Sequence, residues 1–243
     1  MSSARGRALV AASIALIIAG ALAFAASRRE PNPLPLRASD ERPALLLLTS
    51  LPLVFGEDFS LKGGSSPTLK RLESRYRVVP ISVTSPSDLA RGRLLLMAQP
   101  PAQPPENLVA LDSWVRGGGR LLLLADPMLE WPSKRPLGDP LRPPPMFVDT
   151  GLLTHWGLRL DAPDKRGPAV RTLAGLRIIT DSPGALFGDC AISADRLVAD
   201  CPIGRGRAVV IADADLLDVS NIGAKSKNNL SAIMLELARL ERK

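Results

Sequence analysis

The sequence predicts an α/β fold. It is a doubly wound, mostly parallel sheet of Rossmann or flavodoxin type, with an added C-terminal β-hairpin region and a terminal amphipathic helix. Three observations lead there. Four short runs, at 44–49, 78–83, 94–98 and 120–125, are almost wholly apolar, as strands buried on both faces of a parallel sheet are. The stretches between them carry helix signals and short loops, the order expected of β-α-β units. The last fourteen or so residues repeat Leu and Ile at helical spacing.

Each element has its own reason. ALLLLT at 44–49 ends at Ser50, Leu51 and Pro52. Residues 63–66 read as a loop. Ser66 is then an N-cap and Pro67 fits the first helical turn, where a missing N–H costs nothing. Leu69, Leu72 and Tyr76 follow at helical spacing. After the strand 78–83, Ser85 caps a short turn or helix over 85–89. Prolines in 100–105 lead from the third strand into a helix over 106–116, with Leu108, Leu111 and Val115 as its apolar stripe. Gly117, Gly118 and Gly119 end that helix. They do not open one and no Lys-Ser/Thr pair follows, so a phosphate cradle is not indicated. Residues 126–149 hold seven prolines and no regular pattern. A short helix is expected over 150–156 and a short strand at Ile178 and Ile179. Strands at 191–193, 197–202 and 207–212 are joined by turns at Ala194-Asp195 and Gly204-Arg205-Gly206. In the helix 229–242, Leu230, Ile233, Met234, Leu237 and Leu240 line one face. Arg239, Arg242 and Lys243 sit where the helix dipole favours cations. No internal repeat is present.

The 243 residues are 46% hydrophobic but only 4% aromatic, so the core must be built from Leu, Val, Ile and Ala. Residues 8–26, ALVAASIALIIAGALAFAA, carry no charge. As a helix they would span about 28 Å, close to the hydrocarbon thickness of a bilayer. Arg5 and Arg7 precede them and favour keeping that end in the cytoplasm, with the body outside. Residues 1–29 are therefore expected to be a membrane anchor or signal segment, and the membrane a partner through it. An uncleaved inner-membrane anchor and a cleaved periplasmic leader both remain open. Ala23-Phe24-Ala25 fits a cleavage site, while Arg28 and Arg29 just beyond disfavour cleavage. Residues 30–43, with four prolines, read as an extended linker, and 44–243 as a single α/β domain. The net charge is +7, three of it in the first 43 residues. The rest is spread without a basic stripe or interleaved aromatics, so no nucleic-acid partner is expected.

Chemistry-bearing residues are few. Cys190 and Cys201, the two cysteines, flank an expected hairpin. In an oxidising envelope they would form a cross-strand disulfide worth about 2–3 kcal/mol; two buried thiols are the alternative. A single histidine and no second cysteine pair argue against zinc, and neither a metal nor a cofactor is expected. His155, beside Trp156, reads as a residue packed at a helix end. Asp126 follows the strand 120–125, and Asp213 and Asp215 follow AVVIA. If those strands are parallel members of one sheet, the three carboxylates emerge on one edge, where open α/β sheets bind ligands. Glu130 and Trp131 would add a polar contact and a stacking face. Alternatively the aspartates cap the following turns. Carboxylates alone do not make a hydrolase without a base and a nucleophile.

Residues 111–127, LDSWVRGGGRLLLLADP, resemble a block from the auxiliary domain of uncharacterised ABC-type transport systems, the GldG-like family. GRGRAVVIADADLL at 204–217 resembles a second block, and Asn228-Asn229-Leu230 with the following helix a third. Their order agrees, and the likeness covers most of 44–240. It implies a fold similar to class I glutamine amidotransferase domains, whose cysteine nucleophile sits on a sharp strand-to-helix turn with a histidine partner. Here the candidate position reads Ala125-Asp126-Pro127. Neither Cys190 nor Cys201 has an elbow of glycines, and His155 lies in no matching motif. The resemblance thus implies the fold without the chemistry. The expected function is a non-enzymatic envelope domain, an accessory or ligand- or partner-binding component of an ABC-type transport system, with permease and ATPase subunits as partners. A carboxylate-dependent hydrolase and a purely structural envelope scaffold are the alternatives.

Overall fold

The computed structural model describes residues 34–54 and 66–242. The apolar segment 8–26, with its anchor and leader readings, lies outside the described residues. No helix among the described residues is long and apolar enough to cross a membrane.

In chain order the elements are β1 (Ala44–Thr49), α1 (Pro67–Glu73), β2 (Arg77–Pro80), α2 (Pro86–Leu89), β3 (Leu94–Ala98), α3 (Pro105–Arg116) and β4 (Arg120–Leu124). There follow α4 (Leu152–His155), β5 (Leu158–Asp161), β6 (Pro168–Leu173), β7 (Leu176–Asp181), β8 (Ala185–Gly188), β9 (Ala191–Ile192), β10 (Val198–Ile203) and β11 (Gly206–Ile211). Three short helical turns, at Asp215–Leu217, α5 (Val219–Ile222) and Gly223–Ser226, lead to α6 (Asn229–Arg242).

Seven strands form one sheet in the order β2-β1-β3-β4-β11-β10-β9. The first five run parallel, and β10 and β9 add an antiparallel edge. The order 2-1-3-4-5 of the parallel strands is that of flavodoxin-type sheets. This is the doubly wound, mostly parallel α/β fold that the strand pattern and the resemblance imply.

Strand alternation sorts the core into two layers. Leu45, Leu47, Leu96, Leu122 and Val209 face one side, beneath α1 and the Ile233, Leu237 and Leu240 stripe of α6. Leu46, Leu48, Leu95, Leu121 and Val210 face the other, beneath Leu89 of α2, Leu111 and Val115 of α3, and Leu153 of α4. Each such leucine, removed wholly from water, contributes roughly 1.5–3 kcal/mol. The α3–β4 junction depends on its glycines. A Cβ on Gly119 would meet the Trp114 ring at 2.3 Å, and one on Gly206 would meet the Val115 carbonyl at 1.9 Å.

Several elements differ from expectation. The second strand stops at Pro80 instead of Val83. It is an edge strand, and after the Ile81 N–H bonds the Leu47 carbonyl at 2.9 Å the chain leaves the sheet. Strands β5, β6 and β8 were not expected. They belong to two-stranded ladders, β5 with β8 and β6 with β7. Their sequences carry Pro168, Arg159, Arg171 and Gly188 and bury one face at most. Residues 34–43, part of the expected linker, lie against the body. Leu34 packs on the core, and Arg37 pairs with Glu241 at 2.8 Å and stacks over Tyr76.

Candidate functional site

The sheet topology directs attention to the carboxyl ends of the strands. β4 and β11 are parallel neighbours, with Leu124 opposite Ile211. Asp126, Asp213 and Asp215 therefore do leave the sheet on the same edge. What they do there is structural in geometry. Asp126 is fully buried. Its Oδ1 accepts from the Met128 N–H at 2.8 Å, and its Oδ2 from the N–H groups of Ala214 at 2.8 Å and Asp215 at 3.4 Å. One carboxylate thus ties the exit of β4 to the exit of β11. Asp213, equally buried, accepts from the Leu216 N–H at 2.9 Å, while its Oδ2 has no partner. Asp215 accepts from the Glu130 N–H at 2.8 Å.

Burial sets the charge state of this cluster. It pushes the Asp126 carboxyl up to about 6, against the pull of its three amide donors. It drives Asp213 well above the usual carboxylate range, helped by the neighbouring Asp126 charge. It raises Asp215 to about 8, with Asp126, Asp181 and Asp218 adding repulsion. The geometry assigns the negative charge to Asp126, which has three amide donors. The proton belongs on Asp213, whose second oxygen accepts nothing.

Glu130 and Trp131 are brought to the same edge but into other company. The Glu130 carboxylate pairs with Arg166 at 2.9 Å and accepts from the Ser182 hydroxyl at 3.1 Å. Trp131 is half-buried, packed with Leu129 against the core. Asp126 and Asp213 expose no surface, and a hydrolase acting through them would have no carboxylate in reach of a substrate. Among the described residues no group of three or more His, Cys, Asp or Glu is arranged to hold a metal ion.

A left-handed turn follows β3. Gln99 adopts φ +42°, a left-handed conformation uncommon outside glycine. Its side chain is fully buried. Its Oε1 accepts from the Asp126 N–H at 3.0 Å, and its Nε2 donates to the carbonyls of Asp126 at 3.2 Å and Pro144 at 3.1 Å. At this left-handed turn after β3 stands an amide wholly occupied with backbone; Ser182, equally buried and with φ +43°, is a second such position, its hydroxyl donating to Glu130. Sequence reasoning missed Gln99, although a lone glutamine between an apolar strand and a proline pair was a visible signal.

Four further residues sit where the sequence reading leaves them open or silent. Cys190 and Cys201 are disulfide-bonded, the bond lying under the apolar layer of α3. His155, at the end of α4, is 3.5 Å from Asp112 and 3.3 Å from a guanidinium nitrogen of Arg116. Asn229, unnoticed as a structural residue, is fully buried at the start of α6. Its amide bonds both the N–H and the carbonyl of Ile179, at 3.1 and 2.6 Å, and the Leu216 carbonyl at 2.9 Å.

Near Gln99 a cleft of about 360 Å³ opens over the carboxyl ends of β1 and β2, with Pro80, Ile81 and Ser82 on one side. Thr49, Ser50, Pro52, Pro101, Arg135 and Leu141 are on its wall. The irregular segment after Asp126 crosses this edge, held by the Phe147 N–H to the Asp126 carbonyl and the Leu129 N–H to the Pro145 carbonyl. That segment leaves Leu137, Leu141, Met146 and Val148 exposed.

No protein-family model and no curated protein matches the sequence. Solved structures do resemble the fold. The mmIFT52 N-terminal domain aligns with TM-score 0.55 at 12% identity, over 80% of this chain and 96% of that one. A cytoplasmic protein from Salmonella typhimurium aligns with TM-score 0.50 at 11% identity, over 82% and 98%. The exo-beta-1,4-mannosidase Op5Man5 from Opitutaceae bacterium strain TAV5 aligns with TM-score 0.50 at 15% identity over 81% of this chain. The match spans only 36% of the mannosidase. At such identities the likeness is one of fold: the class is a doubly wound α/β domain.

Proposed function

We propose that this chain is a non-catalytic binding domain of the cell envelope, an accessory component of an ABC-type transport system of the GldG-like kind. The observation that carries the reading is Gln99. The left-handed turn after β3 stands at the carboxyl edge, where open α/β sheets bind ligands. Here it holds a buried amide that braces Asp126 and Pro144. Asp126 and Asp213 are closed off by backbone amides, while Asp215 and Glu130 border a small cleft of about 140 Å³ with Asp181 and Asp218. The disulfide between Cys190 and Cys201 favours an oxidising compartment. Delivery there rests on the leader-like segment 8–26, as an anchor or a cleaved signal.

The binding face is the segment over the carboxyl edge. Most globular surfaces scatter their exposed apolar residues. Here Leu137, Leu141, Met146 and Val148 fall within one loop beside the cleft, which suits a protein partner such as a permease or ATPase-associated subunit. A photoreactive residue placed at Leu137 in the full chain, irradiated in native membranes, tests this. Recovery of a transporter subunit in the crosslinked product is the expected result. Crosslinks that contain no transporter component contradict the transport reading.

A further inference from the structure

A second cleft, of about 610 Å³, lies at the same end of the sheet, where the β5–β8 and β6–β7 ladders meet the β9–β10 turn. Its size is within the usual range for small-molecule sites. Its lining is basic, with Lys165, Arg166, Arg171 and Arg196 around Phe187. We propose that this cleft binds a small solute through a carboxylate or phosphate group, held between Arg171 and Arg196.

The argument rests on which charges are already occupied. Arg166 is paired with Glu130. Asp161 on the cleft wall is neutralised by the nearby Arg159 at 2.9 Å. Asp195 accepts from the Ser193 hydroxyl at 2.7 Å and from the N–H groups of Leu197 and Thr172 at 3.3 Å. Among the described residues Arg171, Arg196 and Lys165 take part in no ion pair. Of the lining carboxylates Asp164 and Asp195 have no ion-pair partner among the described residues, two charges against the three of Arg171, Arg196 and Lys165. The local balance therefore leaves cationic donors in excess.

Two details make the donors suited to a ligand. Arg196 stacks on Phe187, its guanidinium carbon 4.4 Å from the ring centroid, and Arg159 does the same at 4.6 Å. Stacking fixes a guanidinium through its face and leaves the N–H donors in its plane unused. The Arg196 backbone is itself in the left-handed region, φ +59°, so this turn is held in an uncommon conformation that sets the stacked side chain in place. Arg171, on β6, has a buried Nε that meets no hydrogen-bond acceptor, with only its own neighbour's carbonyl, Val170, on NH1. A buried charged donor without an acceptor is costly, and a bound oxyanion would supply one in the bidentate geometry that guanidinium favours. This inference does not depend on the transport reading.

The test is calorimetry on the full chain in detergent at low salt, with inorganic phosphate, citrate and glucose as probes. Vesicles of phosphatidylglycerol form a separate arm. Saturable binding of citrate or phosphate but not glucose is expected. It should weaken by roughly ten-fold or more in Arg171→Gln and Arg196→Gln, and stay unchanged in Arg77→Gln on the far edge strand. Should either cleft variant fail to fold, the Arg171 Nε–H resonance of the unmodified chain still decides, and it is expected to shift to saturation with the same probe. The proposal is overturned if no anion binds, if the cleft variants bind as well as the parent, or if the resonance does not move. It is also overturned if only the vesicles bind.

Discussion

The Oδ2 atom of Asp126, at the exit of β4, accepts a hydrogen bond from the Ala214 N–H, at the exit of β11, over 2.8 Å. These residues are 88 apart in sequence. The bond joins two parallel strands just beyond the point where their ladder ends. It explains why an aspartate stands in fully buried surroundings: three amide N–H groups would otherwise lose their acceptor there. Asp126→Ala is expected to destabilise by about 2–4 kcal/mol, from stranded donors and a cavity. Asp126→Asn keeps one acceptor oxygen and should lose less than half as much. Urea unfolding of the two variants beside the parent measures the difference.

The buried acids should make stability depend on pH. Asp213 and Asp215 have folded pKa values above the ordinary carboxylate value, Asp215 at about 8. The folded state therefore holds protons that the unfolded state releases. The Asp215 contribution is complete below about pH 4 and is lost as pH rises through about 8, and Asp213 acts in the same direction. Melting temperature is expected to fall between pH 5 and 8. In Asp213→Asn a neutral amide replaces the protonated acid and the carbonyl oxygen still serves Leu216. This variant should flatten that slope and be no less stable than the parent at pH 8. A scan of melting temperature against pH for both proteins checks it.

The Cys190–Cys201 bond closes a loop with sequence separation 11. Cys190→Ser with Cys201→Ser is expected to cost about 2–3 kcal/mol by the chain-entropy account. For a chain of this size that lowers the melting temperature by roughly 5–10 °C. The same drop should follow reduction of the parent protein by dithiothreitol, and none should be seen on reducing the variant.

The terminal helix is held to the sheet by charge as well as by its apolar stripe. Asp200 on β10 pairs with Arg207 on β11 and with Arg239 on α6, the latter at 2.6 Å. Burial alone would raise the Asp200 carboxyl, but hydrogen bonds and charge from Arg239 and Arg207 outweigh it and hold it low. The linkage has the opposite sign to that of Asp213, since this stability is present above the unfolded pKa and lost as pH falls through the folded one. Asp200→Ala is expected to cost about 1–3 kcal/mol, with the largest loss of protection in α6. Hydrogen exchange of the helix amides reads this out.

Much of this architecture was legible because apolar alternation and turn chemistry are local. The runs ALLLLT and RLLLLA could hardly be other than buried strands, and Ser66-Pro67 marks a helix start by itself. The ladders β5–β8 and β6–β7 were illegible for the opposite reason. They are short, charged and half-exposed, and they exist because the ends of the main sheet give them something to lie on. The edge position of Asp126 and Asp213 followed from strand direction, but burial did not. Whether an aspartate faces water or three amides depends on how the segment after β4 returns over the sheet. Gln99 was hidden similarly: its role appears only when Asp126 and Pro144 arrive beside it. Arg171 and Arg196 come from separate ladders and turns, and no spacing in the chain links them.

The central claim is that Asp126 and Asp213, at the carboxyl edge, are sealed braces, while Asp215 borders a cleft. Carboxyl-carbon NMR of the full chain, with aspartate labelled and titrated from pH 3 to 9, tests it most directly. The account predicts that Asp126 titrates near 6 and Asp215 near 8, and that Asp213 holds its proton well above the ordinary aspartate range. If all three instead lose their protons around pH 4, as solvent-exposed aspartates do, the edge is open to water and the sealed-brace account is wrong.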